Sequence, residues 1–209
     1  GDSLTQGASD GLPFSAWGVS THLNPDTSYP AKLQEILDET YGSGKAKVTN
    51  GGRGGETTIG SEAKDRLIDE LDDHNPQVLL LMHGVNSLTD ELLNGNEDAI
   101  DDTIDALDEL IEEAKSREPG ITIFLATLPQ QDIEGSSKAR AADLVEPFNA
   151  QVKQLAKEEG CTLVDIYQVI ERSMLTPDGL HIREAGNEKM AEAFYAKIKA
   201  KFHEAPELR

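Results

Sequence analysis

Four short stretches of this chain carry residue types that can do chemistry together. Gly1-Asp2-Ser3-Leu4-Thr5-Gln6-Gly7 offers a serine among small, turn-favouring residues. Asn50-Gly-Gly-Arg-Gly-Gly-Glu-Thr57 and Gly84-Val-Asn86 offer backbone and side-chain amides, and Asp178-Gly-Leu-His181 pairs a carboxylate with an imidazole three residues on. Acyl transfer to a serine needs such a set: a hydroxyl, a base, a group that fixes the base's tautomer, and donors for the oxyanion. Alone, each stretch has a plainer explanation. Ser3 could be a helix cap, the glycines backbone turns, Asn86 a turn closure, and Asp178 to His181 a turn before a helix. It is their joint presence that points to a serine hydrolase.

The elements that must position these residues alternate. Leu33, Ile36 and Leu37 share a helical face after Tyr29-Pro30, with Gly42 and Gly44 beyond it. Lys45–Thr49 reads as a short strand leading into the glycine loop. A helix follows over Ser61–Asp73, then the continuous apolar run Val78–Met82, the pattern of a strand buried on both faces. Glu97–Arg117 is the clearest helix, with Ile100, Ile104, Leu107, Ile111 and Ala114 in line and Asn96 as its expected N-cap. Ile121–Leu128 is a further strand, Ala141–Glu159 a helix, Leu163 to Ile166 a last strand, Ile170–Ile182 irregular, and Glu184–Phe202 a final helix. Alternation of this kind predicts one α/β domain, residues 1–209, with a mostly parallel sheet. In such sheets ligands lie beyond the carboxyl ends of the strands, where all the candidate loops fall.

Composition narrows the classes. The chain has 209 residues, 39 acidic and 19 basic, giving a net charge of −20 that disfavours phosphate backbones and anionic lipid. Nucleic acid is therefore not an expected partner. No apolar run approaches a bilayer span, so integral membrane association is not expected either. The compartment stays open between cytoplasm and a secreted bacterial location. Cys161 is the only cysteine, which excludes an internal disulfide and a cysteine zinc cluster. His22, His74 and His203 have no ligand spacing, so no metal site is expected. The glycine run lacks the lysine of a phosphate loop and does not fit G-x-G-x-x-G, and no G-x-S-x-G elbow occurs.

In sequence order the four stretches resemble the blocks of the GDSL (SGNH) hydrolase family, with Pro177-Asp-Gly-Leu-His-Ile-Arg-Glu-Ala-Gly186 especially close. The resemblance implies a three-layer α/β/α flavodoxin-like fold and esterase or lipase activity without metal or cofactor. Carried over by position, it implies Ser3 as nucleophile, His181 as general base and Asp178 as its orienter. It also implies an oxyanion hole from the Ser3 and Gly55 amides and the Asn86 side chain. Ser87 departs from the family's usual aspartate. The family's first strand precedes the serine block, so that strand is expected upstream of residue 1. Leu12, Phe14 and Trp17 in a long first loop, His83, and Met174-Leu175 are the candidate walls of a substrate pocket. Short acyl, carbohydrate-borne or lipid esters are the expected substrates. Transfer of the acyl group to a sugar hydroxyl, or carbohydrate binding without turnover, are the alternatives.

Overall fold

A computed structural model describes residues 1–7, 24–133 and 139–203. Its centre is a parallel sheet of β1 (Val78–Leu81), β2 (Thr122–Ala126) and β3 (Thr162–Val164), in the order β1-β2-β3. Leu81 pairs with Leu125 and Ala126 with Val164, so the strands end in step. These strands are apolar on both faces because helices cover both. On one side α2 (Tyr29–Tyr41) packs along α8 (Glu184–His203), and the rings of Tyr29 and Phe194 stack with centroids 5.0 Å apart. On the other, α3 (Glu62–His74), α5 (Ala99–Arg117) and α7 (Val145–Glu158) lie in a row. Phe124, Phe148, Ile111 and Leu107, each at most 1% exposed, fill the space against the sheet. This is the expected α/β class, with a small parallel sheet.

Two further helices sit at the sheet's carboxyl edge. α1 (Ser3–Gln6) is one turn long, and α4 (Val85–Leu93) follows β1 through Met82-His83-Gly84. Sequence periodicity did not predict α4, because its nine residues bury only Val85, Ser87 and Leu88. A short helix, α6 (Ala139–Ala142), precedes α7.

Several boundaries differ from expectation. Lys45–Thr49 is not a strand. Its backbone bonds to the Gln34 side chain, which accepts from the Val48 amide at 2.7 Å and donates to the Ala46 carbonyl at 3.0 Å. That one side-chain amide stands in for a neighbouring peptide. A cavity of about 840 Å³ is lined by Val48 of this segment and Leu79 of β1, with Leu33 and Leu71 among others, and among the described residues the segment pairs with no strand. Asn96 is not the N-cap of α5; Asp98 holds that position, while Asn96 accepts from the Asp98 amide and donates to Asp102. The helix expected from Ala141 starts at Val145, after a turn closed by Leu144 N–H to the Ala141 carbonyl. Ile166 leaves the last strand for a 3-10 turn, where the Tyr167 amide bonds to Thr127 Oγ1.

Candidate active site

Ser3 opens the one-turn helix α1. Asp2 caps it, accepting the Leu4 amide on Oδ1 at 2.9 Å, as acidic N-caps do. The helix therefore projects Ser3 from a rigid start, while Leu4 and Thr5 are buried beneath it. Ser3 Oγ lies 3.0 Å from Nε2 of His181, 178 residues away in the chain.

His181 owes its orientation to the turn before it. Thr176 to Gly179 is a tight turn closed by the Gly179 amide on the Thr176 carbonyl at 3.0 Å. Gly179 has φ +70, and a Cβ there would collide with the Asp132 carbonyl, so only glycine fits. Asp178 Oδ1 accepts from Thr176 Oγ1 and from the Leu180 and His181 amides; Oδ2 meets His181 Nδ1 at 2.6 Å. Burial pushes the Asp178 carboxyl up, but these donors outweigh it and hold it well below the usual carboxylate range. An ionised Asp178 accepts a hydrogen bond from Nδ1–H, which leaves the Nε2 lone pair to accept the Ser3 hydroxyl. The result is a hydroxyl–imidazole–carboxylate chain, with His181 and Asp178 side chains 15% and 11% exposed.

The amide donors gather at the same edge. Gly84 joins β1 to α4 with φ +122, and a Cβ there would sit 2.9 Å from Phe148 Cζ. Asn86, in the first turn of α4, donates one Nδ2 hydrogen to the Glu56 carbonyl at 2.9 Å and keeps a second. In the glycine loop, the Gly54 amide donates to Gln6 Oε1 at 2.6 Å. The Gly55 amide has no partner among the described residues, which makes it the available donor of the two. Ser87, unlike the aspartate usual in the family, is buried; its Oγ accepts the Thr58 amide at 2.8 Å and ties α4 to the glycine loop.

The proposed pocket walls fare differently. Phe14 and Trp17, with Leu12 and His22, lie outside the described residues. His83 is buried, its side chain 2% exposed between Glu56 and Asp2, so it is a support beneath the site and not a wall of it. Leu175 is 5% exposed, held in the core by its bridge to Ile182. Met174 is half-buried against Gly186. The 840 Å³ cavity touches neither Ser3 nor His181. Among the described residues no group of three His, Cys, Asp or Glu side chains is placed to hold a metal ion, and no helix is long and apolar enough to cross a membrane.

Glu56 and Arg66 went unnoticed in the sequence. Arg66 donates to both Glu56 oxygens and to the Gly51 carbonyl, bracing the glycine loop from α3. The available signal was a lone arginine beside the inward stripe of Ala63, Leu67 and Leu71.

A parallel α/β sheet with a serine, a carboxylate-paired histidine and spare amides at its carboxyl edge defines a hydrolase-type architecture. Residues 1–189 match the model of the GDSL-like Lipase/Acylhydrolase family, and the chain belongs to that family. A multidomain esterase of Ruminococcus flavefaciens is 26% identical over 133 residues, 62% of this chain and 16% of that protein, so the match spans only a small part of the relative. Among solved structures, the acetyl xylan esterase AlAXEase superposes with a TM-score of 0.67 at 19% identity, covering 83% of this chain and 91% of its own. A mutant of Axe2, an acetyl-xylooligosaccharide esterase from Geobacillus stearothermophilus, gives 0.69 at 23%, covering 94% and 90%. These structural likenesses establish the fold. Family and relatives together support a carboxylic ester hydrolase.

Proposed function

We propose that the protein is a serine esterase that hydrolyses carboxylic esters of short acyl groups, carbohydrate-borne acetate foremost, through an acyl-enzyme on Ser3. The observation that carries this is the 3.0 Å contact of Ser3 Oγ with His181 Nε2, continued at 2.6 Å from Nδ1 to Asp178. His181 takes the Ser3 proton as Oγ attacks the ester carbonyl, then gives it to the leaving alcohol. Water repeats the sequence on the acyl-enzyme and releases the acid. Asp178 holds the tautomer and faces the imidazolium that forms at each step. The Ser3 and Gly55 amides and the spare Asn86 Nδ2–H stabilise the oxyanion.

The carbohydrate preference draws on the acetyl xylan and acetyl-xylooligosaccharide esterases of like fold. It is tested by comparing p-nitrophenyl acetate, butyrate, octanoate and palmitate with acetylated xylo-oligosaccharides, with Ser3→Ala alongside. Acetyl esters are expected to turn over fastest, with activity abolished in the variant. A Ser3→Ala protein that keeps full activity would sink the mechanism; a palmitate optimum would sink the substrate class.

A further inference from the structure

Beneath the site lies a buried chain of charged and polar side chains that the hydrolytic steps do not use. Arg66 on α3 donates through Nε to Glu56 Oε1 at 2.7 Å and through Nη2 to Oε2 at 2.5 Å. Glu56 Oε2 also meets His83 Nε2 at 3.1 Å. His83 Nδ1 receives the Gly84 amide at 3.0 Å. With the Gly84 amide on Nδ1, Nε2–H is the group that donates to Glu56, and Asp2 Oδ2 lies 3.5 Å from Nδ1. The Glu56 and His83 side chains are 1% and 2% exposed. A carboxylate buried this deeply is tolerated only when its lone pairs are met, and here three donors meet them.

What this chain touches is informative. Glu56 adjoins Gly55, and its own backbone carbonyl is the acceptor that orients the Asn86 amide. His83 adjoins Gly84, the turn from which α4 and Asn86 begin. The Glu56 side chain thus holds in place the carbonyl that aims the Asn86 amide. With one Nδ2 hydrogen held by that carbonyl, the direction of the second is set. A donor contributes to oxyanion stabilisation only when it is already aimed before charge develops.

We propose that Glu56, clamped by Arg66 and His83, is a positioning residue that pre-aims the Asn86 amide in the oxyanion hole. This rests on the serine-esterase reading above. The role belongs to the transition state, so its loss should appear in kcat and not in KM. Glu56→Gln keeps size and packing but removes the charge that the Arg66 fork grips. Its kcat on p-nitrophenyl acetate should fall on the order of 10-fold with KM unchanged.

The decisive measurement is a double-variant cycle of Glu56→Gln with Asn86→Ala. Once the Asn86 amide is gone there is nothing left to aim. The double variant is therefore expected to be no slower than Asn86→Ala alone. A variant that merely lowers the folded fraction would slow both backgrounds by the same factor. Fully multiplicative effects, a loss confined to KM, or a Glu56→Gln enzyme with unchanged kcat each overturn the proposal while leaving the esterase reading intact. An Asn86→Ala enzyme with unchanged kcat overturns both the oxyanion assignment and this proposal. Should Glu56→Gln fail to fold, Arg66→Lys at the more accessible end of the chain tests the same coupling. It retains the charge and loses the fork, and it should show a smaller kcat loss that is likewise absent from the Asn86→Ala background.

Discussion

At one edge of the sheet His181 meets Asp178 and His83 meets Glu56, and the two rings are turned in opposite senses. His181 donates Nδ1–H to Asp178 and turns Nε2 toward Ser3. His83 donates Nε2–H to Glu56 and accepts the Gly84 amide at Nδ1. Both sit beside carboxylates held low by donated hydrogen bonds. Only His181, the proposed base, has a ring nitrogen facing a serine hydroxyl. A neighbouring carboxylate does not make a histidine catalytic; a lone pair left facing an accessible hydroxyl does.

That contrast can be broken most severely at the His181 end. Ser3→Ala and Asp178→Asn should each lower kcat for p-nitrophenyl acetate by roughly 10⁴, the second by favouring the wrong tautomer. An Asp178→Asn enzyme within tenfold of the parent would mean that Asp178 does not set the tautomer. Next in size, Asn86→Ala should cost about 10²–10³ in kcat, read by steady-state kinetics.

At the other pair the effect should pass from rate to stability. His83→Ala leaves Glu56 short of a donor and the Gly84 amide unpaired in a buried place, a loss of about 1–3 kcal/mol for each unmet group. Thermal melting should fall by several degrees, while some esterase activity survives. An inactive but fully stable His83→Ala protein would reverse the distinction drawn between the two histidines.

Gly179→Ala adds strain at positive φ and a clash with the Asp132 carbonyl. It should cost on the order of 2 kcal/mol and displace His181, lowering stability and kcat together.

The smallest effect is a pH slope. Burial pushes the Glu56 carboxyl up, but hydrogen bonds from Arg66 and His83 prevail and hold it down at about 2, against an ordinary value of 4.5. A depressed carboxylate contributes stability that is fully present above its unfolded value and lost as pH falls through the folded one. Unfolding free energy should therefore decline between about pH 4.5 and pH 2, and Glu56→Gln should flatten part of that slope. An unchanged slope would show that the Glu56 charge is not coupled to folding.

Much of this arrangement was legible in the sequence because its signals are local. The apolar run at Val78, the period of Ile104, Leu107 and Ile111, and the turn at Pro177-Asp178-Gly179 each follow from backbone and side-chain chemistry over a few residues. Lys45–Thr49 misled because a short stretch fit to be extended is not yet a strand, and pairing needs a partner that only the tertiary structure can supply or withhold. α4 was missed because nine residues carry too little period to read.

The sequence by itself determined the α/β order and the residue types brought to the site, Ser3, Asp178 and His181 among them. Tertiary structure decided the tautomers. Asp178 lies three residues from His181 and Gly84 one from His83, but Glu56 and Ser3 reach the other ring nitrogens from 27 and 178 residues away, and pattern along a chain does not encode that proximity. Glu56 meeting His83, and His181 meeting Ser3, are contacts of this kind. They turn two similar histidines into the proposed base and a buried strut.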